Sequence, residues 1–329
     1  MKELFEGRGE LFTSPDPDLA REHFRKKDRA LKDKVMSVGE AVEKFIPDGT
    51  YFAAGGFGGV RIPTAVLHEI VRRKRKRLGF CGHSATHTFQ ILAAGDVMDR
   101  CDISYVIGLE ARGVSPNARR LMESKRIRIC EWSNASLTWR IKAAALGIPF
   151  LIGRQTLGAD SIGWSASKIV ECPYTGKKFA TYPALYPDVA IIHVNEADPY
   201  GNSAFRGISN VDEDLARASK HVIITCERLV GTDTFRNDPH LVRIPYFCVD
   251  AVCEVPYGSY PGNMPFEYFS DEKHIREWLT VEKDEAKLSE FLQRNIYGCR
   301  DHSEYVSLNG GLKRMQELRR HEFMLEVDD

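Results

Sequence analysis

The chain has 329 residues, of which 43% are hydrophobic and 28% are charged, as is typical of a globular protein with a full core. Its formal net charge is zero, so no overall field attracts nucleic acid or an anionic membrane, and we expect neither as a partner. The eight cysteines form no CxxC pair, no run approaches the roughly 20 apolar residues of a membrane span, and the N-terminus contains no apolar signal core. We therefore expect a cytoplasmic protein with reduced thiols and no bound metal.

Residues 1–32 are polar and highly charged, and they are predicted to form a surface extension. Residues 33–265 alternate between short apolar strands and amphipathic helices. The first helix is expected at SVGEAVEKFI, where Ser37 and Glu40 have the spacing of a capping box. Further helices are expected in PTAVLHEIVRRKRKR, THTFQILAAG, SPNARRLMESK, ASLTWRIKAAALG and the end of GISNVDEDLARASK.

Strands are expected where apolar residues run almost without interruption, in TYFAAGGF, LGFCG, CDISYVIG, IRICEW, PFLIG, KKFATYPAL, VAIIHVNEAD, HVIITCE and VDAVCEVPYG. Continuous apolar strands separated by helices favour an α/β fold with a mostly parallel sheet and helices on both faces. Residues 266–329 predict a tail of two or three charged helices packed on the same domain.

The segment AAGGFGGVRIPTA, residues 53–65, places four glycines between a strand and a helix. A dinucleotide-binding loop would need a glycine where Arg61 stands, and a P-loop would need a closing Gly-Lys-Ser or Gly-Lys-Thr. The loop is therefore expected to approach some other ligand closely. A tight turn without a ligand is the alternative.

The longer segment DGTYFAAGGFGGVRIP resembles the signature of the family I CoA-transferases: an Asp-Gly pair, three apolar residues, Gly-Gly-Phe and a proline soon after. The usual family glycine two residues before that proline is Arg61 here. The resemblance continues through WRIKAAALGIPFLIG, DVAIIHVNEADPYGNSAFRG, HVIITCERLV and IPYFCVDAVCEVPYGSYPG, and the last segment is similar to the A subunit of the glutaconate type.

This resemblance implies a CoA-transferase fold over residues 33–265 and an enzyme that moves CoA between carboxylic acids. The family uses a glutamate in a Ser-Glu-Asn-Gly motif of its B subunit or B half, which passes through an acyl-glutamyl anhydride and a glutamyl-CoA thioester. Because this chain contains no Glu-Asn-Gly, the resemblance implies an A subunit that is active only with a B subunit. The implied assembly is a heterodimer that forms A2B2 or A4B4, with acyl-CoA and a carboxylic acid as substrates and no cofactor besides coenzyme A itself.

Two other functions stay open. The chain could be the A subunit of a CoA-thioester hydrolase or of a ring-cleaving relative of the family, or a non-catalytic α/β ligand-binding protein. In the ring-cleaving relatives the position of Asn134 resembles a catalytic glutamate, so asparagine at this position favours transfer.

The family resemblance also implies the candidate site. Asn134 stands where family members commonly have a glutamine whose amide holds the substrate oxygen, although Asn134 or Ser133 could instead cap the following helix. Glu131 is expected in the site wall or in a salt bridge. The resemblance to the glutaconate type suggests a dicarboxylate substrate.

Further substrate contacts are expected from the glycine loop and from the ends of neighbouring strands. Arg61 is a candidate partner for a substrate carboxylate or a CoA phosphate, with a surface position as the alternative, and the same applies to Arg206. The other expected contacts are Gly55, Gly56, Phe57, Gly58, Gly59, His83, Ser84 and Glu110.

Overall fold

The structure, a computed structural model, describes residues 1–109 and 112–324. Its strands in chain order are β1 (Glu3–Glu6), β2 (Tyr51–Ala54), β3 (Leu78–His83), β4 (Met98–Ser104), β5 (Gly108–Leu109), β6 (Gly113–Val114), β7 (Arg128–Glu131), β8 (Phe150–Gly153), β9 (Lys168–Glu171), β10 (Lys178–Pro183), β11 (Val189–Ala197), β12 (Ser203–Ala204), β13 (His221–Leu229) and β14 (Ala251–Glu254).

The helices are α1 (Pro17–Lys26), α2 (Val38–Phe45), α3 (Thr64–Arg72), α4 (Thr86–Ala94), α5 (Pro116–Glu123), α6 (Asn134–Leu146), α7 (Asp212–Ala218), α8 (Asp233–Asn237), α9 (Glu272–Val281), α10 (Glu285–Leu292), α11 (His302–Leu308) and α12 (Gly311–Glu322). Among the described residues, none of these helices is long and apolar enough to cross a membrane.

The main sheet has the strand order β14–β13–β11–β2–β3–β4–β7, and every neighbouring pair in this order is parallel. β2 and most of β11 and β13 are buried, as expected of a parallel sheet covered on both faces. Core side chains from α2–α5 pack on one face of the sheet, and those from α6 and α7 pack on the other. The predicted α/β class with a mostly parallel sheet is confirmed.

Local sequence signals explain several helix ends. The capping box predicted at Ser37 is present, because the Ser37 hydroxyl accepts from the Glu40 amide at 3.2 Å and the Glu40 carboxylate accepts from the Ser37 amide at 2.8 Å. α3 ends at Arg72, earlier than the predicted helix over residues 63–77, since Lys74 and Arg77 adopt positive φ angles that interrupt it.

A second, antiparallel sheet with the order β1–β9–β10–β8 was not expected. The predicted strands PFLIG and KKFATYPAL exist as β8 and β10, but they pair with each other instead of joining the main sheet. The N-terminal extension contributes β1 at the edge of this sheet and α1, whose Ala20 is buried. Periodicity marks a strand but contains no information about its pairing partner.

The described part of the C-terminal tail, up to residue 324, contains four helices, α9–α12, instead of the two or three expected. Trp278 of α9 and Phe291 of α10 are buried in the same core cluster as α3 and α4. Four buried histidines lie where the tail meets the domain and are referred to as the histidine cluster: His68, His87, His274 and His302.

Burial lowers the pKa of His87, His274 and His302 to about 4, and the pKa of His68 well below its ordinary value. Within the described part of the chain, neither ring nitrogen of His68 has a hydrogen-bond partner. The histidine cluster is therefore neutral at pH 7.

Candidate active site

The carboxyl ends of β2, β3, β4 and β7 meet at one edge of the main sheet, the edge at which parallel sheets bind their ligands. The glycine loop, residues 55–59, follows β2, and Ser84 follows β3 directly. Ser104 ends β4, and Asn134 begins α6 three residues after β7. The structure thus brings together most of the residues predicted from the glycine signature and the strand ends.

The glycine loop is a tight turn held against the end of β3. The Phe57 amide donates to the Val60 carbonyl at 3.0 Å, and the Val60 amide donates back at 2.9 Å. Gly56 has φ +85°, and a Cβ there would lie 2.4 Å from the Val60 oxygen. The Gly58 amide donates to the Ser84 carbonyl at 2.7 Å, so it is engaged within the protein. The exposed Phe57 ring lies 5.8 Å from the His83 ring, between centroids.

Arg61 does not face the cleft, so its predicted contact with a substrate carboxylate or CoA phosphate is wrong, and so is the surface alternative. Its side chain is 0% exposed and forms an ion pair with Asp212. The guanidinium also donates to the Ile208 carbonyl and lies 4.2 Å over the Phe205 ring. Asp212 uses its second oxygen to accept from the Gly56 amide at 2.9 Å. Arg61 therefore stabilises the glycine loop through Asp212.

The Asn134 side chain is held by two hydroxyl groups. Ser84 Oγ donates to Asn134 Oδ1 at 3.0 Å, and Ser104 Oγ donates to the same oxygen at 2.7 Å. No described residue accepts a hydrogen bond from Asn134 Nδ2, and the residue is half-buried. The amide thus has its oxygen occupied and both of its N–H donors available.

His83 holds the main chain of Asn134. Asn210 Nδ2 donates to His83 Nδ1 at 3.2 Å, which places the ring proton on Nε2. Nε2 then donates to the Asn134 carbonyl at 3.0 Å and lies 2.8 Å from Thr138 Oγ1. Burial lowers the pKa of His83, so the ring is neutral. Both nitrogens are engaged within the chain, so His83 and Ser84 hold Asn134, and their contact with a substrate stays a prediction.

The remaining predicted site residues have different surroundings. Ser133 is the N-cap of α6, with its hydroxyl accepting from the Ser136 amide at 3.1 Å, so the cap and the amide belong to adjacent residues. Glu131 is exposed at the end of β7, beside the cavity described below. Arg206 is exposed, with its guanidinium 5.8 Å over the Phe266 ring, and does not line that cavity. Glu110 lies outside the described residues.

A cavity of about 910 Å³, called the edge cavity, lies next to Ser104 at the end of β4. Ser104, which donates to the Asn134 amide, is part of the cavity wall. Glu131, at the end of β7, and Trp132, which follows it, also line the cavity. The other walls come from the chain after β4, from β6, from α5 and from Trp164. Among the described residues, no group of three His, Cys, Asp or Glu side chains could hold a metal ion.

Sequence reasoning missed Ser104, Asn210 and Asp212. Ser104 could have been found, because it is the polar residue at the end of a predicted strand and parallel strands bring their carboxyl ends together. Asn210 and Asp212 lie about 150 residues from the glycine loop along the chain, and no local pattern connects them with it.

Comparison with known proteins agrees with this geometry. Residues 35–255 match the family model described as Coenzyme A transferase. The chain is 30% identical to the A subunit of 3-oxoadipate CoA-transferase from Pseudomonas knackmussii, over 83% of this chain and 96% of that protein. It is 45% identical to an uncharacterized protein of Archaeoglobus fulgidus, over 98% of this chain and 72% of that protein.

The fold matches the crystal structure of glutaconate coenzyme A-transferase from Acidaminococcus fermentans with a TM-score of 0.83 and 28% identity. That match covers 87% of this chain and 95% of the solved chain. The chain belongs to the family I CoA-transferases, among their A subunits.

Proposed function

We propose that this A subunit forms one wall of a CoA-transferase site whose nucleophilic glutamate comes from a B subunit. The observation that supports this most directly is the Asn134 amide, with its oxygen bound by Ser84 and Ser104 and its N–H donors available at the carboxyl edge of the sheet. The absence of a Glu-Asn-Gly motif from the chain agrees with a nucleophile on the partner.

In the proposed reaction the partner glutamate attacks the thioester carbonyl of acyl-CoA, the carbon–sulfur bond breaks, and an acyl-glutamyl anhydride and free CoA thiolate form. The thiolate then attacks the glutamyl carbonyl of the anhydride and releases the first acid as a carboxylate. The resulting glutamyl-CoA thioester reacts with a second carboxylate by the reverse sequence, so atoms and charge balance without a cofactor.

Asn134 is assigned the electrostatic role. Negative charge develops on the carbonyl oxygen at each addition step, and an N–H donor that is already oriented stabilises this charge without reorganising. Ser84 and Ser104 orient the donor by occupying Oδ1, and His83 holds the main chain of the same residue. A neutral amide suits the role, since a carboxylate at this position would repel the developing oxyanion.

The test is to co-express the chain with its B partner, then to measure CoA exchange between two acids alongside thioester hydrolysis. We expect exchange, and mass spectrometry of the quenched mixture should find CoA bound covalently to B and not to A. Fast hydrolysis without exchange would support the hydrolase alternative, and failure to form a complex with B would support the binding-protein alternative.

The role of Asn134 is tested in the same complex. Asn134→Ala should lower kcat by about 10²–10³-fold, the usual effect of removing one oxyanion donor. Asn237→Ala, which changes an exposed asparagine at the end of α8, is the matched control and should leave kcat unchanged. If Asn134→Ala keeps its full kcat, the amide has no role in the chemistry.

A further inference from the structure

The edge cavity adjoins the proposed reaction centre through Ser104. Ser104 lines the cavity and also donates to the Asn134 amide at 2.7 Å, so one side chain separates the cavity from the amide. An acyl group whose carbonyl oxygen meets Asn134 Nδ2 would have its remaining carbon atoms directed toward this space or toward the partner subunit. Its volume of about 910 Å³ is near the upper end for small-molecule sites.

The walls of the cavity are mostly apolar. They include Ile107, Leu109, Val114, Met122 and Ile129, together with Trp132 and the exposed Trp164. Val114 is 58% exposed and Trp164 is 53% exposed, although both are large apolar residues. Exposed apolar residues grouped around a cavity mark a surface that becomes covered when the protein binds its ligand or partner.

The charge in the walls disfavours a second carboxylate on the acyl group. Among the described residues, the charged side chains that line the cavity are Glu123 and Glu131, and no lysine, arginine or histidine is among them. Arg112, which follows the segment outside the described residues, forms an ion pair with Glu272 and is not part of the lining. A carboxylate placed in the cavity would lose hydration and meet no cation in the described lining, where Glu131 carries a like charge and Glu123 is paired with Arg119 at 2.7 Å.

One more cation lies close by. Arg8 lies 3.6 Å over the Trp164 ring, but it does not line the cavity. Its guanidinium stacks on the indole, a contact that favours this position of the ring. Because Arg8 is the candidate for binding a distal carboxylate, it is included in the test below.

We infer that the edge cavity binds the acyl group of the CoA thioester, and that this group belongs to a bulky, apolar monocarboxylic acid with an aromatic or alicyclic ring. This assignment rests on the proposed function and deepens it, and it replaces the dicarboxylate suggested by the sequence. A ring covers the apolar walls, whereas a short acyl group would leave most of them in contact with water.

The experiment uses the A/B complex with isotopically labelled acetate as the acceptor, so that transfer from acetyl-CoA can also be followed, and compares kcat/KM for phenylacetyl-CoA, acetyl-CoA and glutaryl-CoA as donors. Phenylacetyl-CoA should exceed glutaryl-CoA by at least about tenfold, because several apolar carbon atoms are worth this much in a matching pocket. Trp164→Ala should lower the value for phenylacetyl-CoA by about tenfold more than that for acetyl-CoA.

Val114→Lys places a cation in the wall at an exposed position that tolerates it. It should shift the ratio of phenylacetyl-CoA to glutaryl-CoA by about tenfold toward glutaryl-CoA. The matched control is Leu146→Lys, which changes a residue that is 59% exposed at the far end of α6, about 18 Å along the helix from Asn134. This control should leave the ratio unchanged.

Failure of the proposed function and failure of this inference give different results. If no donor supports exchange, the proposed function fails and this inference fails with it. If exchange occurs but glutaryl-CoA or acetyl-CoA is preferred, or if Arg8→Gln selectively removes activity with glutaryl-CoA, the inference is overturned and the proposed function stands. If Val114→Lys prevents co-purification with B, the cavity is covered by the partner protein, and the inference is likewise overturned.

Discussion

Replacing Arg61 by glycine should have two opposing effects on the stability of the protein. Arg61 has φ +54°, in the left-handed region where a non-glycine residue costs about 1–2 kcal/mol, so glycine relieves strain there. The family signature has glycine at this position. The same replacement removes the buried guanidinium that neutralises Asp212 and contacts the Ile208 carbonyl.

The loss of the buried ion pair should outweigh the relief of backbone strain. Breaking a buried ion pair by removing one partner costs about 3–5 kcal/mol, because the remaining charge is left without compensation. Asp212 is itself 0% exposed, and its carboxylate would keep only the Gly56 amide as a donor among the described residues. The added flexibility of glycine in the unfolded chain costs about 0.5–1 kcal/mol more. Arg61→Gly should therefore lower the free energy of unfolding by about 1.5–5 kcal/mol.

The assay is urea denaturation followed by circular dichroism, with Arg77→Gly as the matched control. Arg77 has φ +56° and is exposed, so its replacement relieves similar strain without breaking a buried pair. We expect Arg77→Gly to remain within about 1 kcal/mol of the parent. Adding Asp212→Asn to Arg61→Gly removes the uncompensated charge and retains an acceptor for Gly56, so it should recover part of the loss.

An Arg61→Gly protein as stable as the Arg77→Gly control would refute this reasoning. It would mean that the buried ion pair contributes nothing net to the glycine loop. A double variant that is less stable than the sum of its two single changes would contradict the pairing with Asp212 in particular.

Three other predictions concern Ser104, the histidine cluster and Cys172. Ser104→Ala removes one hydrogen bond to Asn134 Oδ1, so in the A/B complex kcat should fall about three- to tenfold while KM for acyl-CoA changes little. Ser104→Thr keeps a hydroxyl, so an equal loss of kcat in this variant would indicate a packing effect instead. The histidines of the histidine cluster have lower pKa values in the folded state than in the unfolded state, so the unfolded state binds more protons below about pH 6.5. The free energy of unfolding should therefore fall as the pH drops from about 6.5 to 4, by up to about 1.4 kcal/mol per pH unit for each histidine, and His87→Gln should reduce this slope. Urea midpoints that are independent of pH in this window would contradict the prediction. Cys172 is the one partly exposed cysteine among eight, and hydrogen bonding to Thr175 lowers its pKa, so a thiol reagent at pH 7 should label the native chain once, and Cys172→Ser should abolish that label.

Much of the site is predictable because it is local. The glycine loop needs positive φ at Gly56 and a tight turn at residues 57–60, and both follow from the residue types themselves. Asn134 could be assigned to the beginning of α6 because Ser133 and Ser136 have capping spacing and Gly147 ends the helix in the left-handed conformation. The roles of these residues in catalysis remain predictions.

Arg61 shows where prediction from the sequence failed. An arginine in a glycine-rich ligand loop indicates anion binding, but the anion here is Asp212 of the same chain, about 150 residues away. The partners of His83 could not be predicted either, because Asn210 and Asn134, two residues from other parts of the chain, occupy both ring nitrogens. A polar side chain can be recognised as functional from its neighbours, but its partner decides its role.

The sequence by itself determined the fold class, the parallel strands, the glycine turn and the family, because continuous apolar runs, caps and positive-φ glycines act within a few residues. Only the tertiary structure decided that β1, β8, β9 and β10 form a separate sheet and that Ser84 and Ser104 occupy one oxygen of Asn134. It also decided that apolar walls without a described cation adjoin this amide. Strand pairing, hydrogen bonding between distant residues and the charge inside a cavity depend on which segments meet, and this depends on the packing of the whole chain.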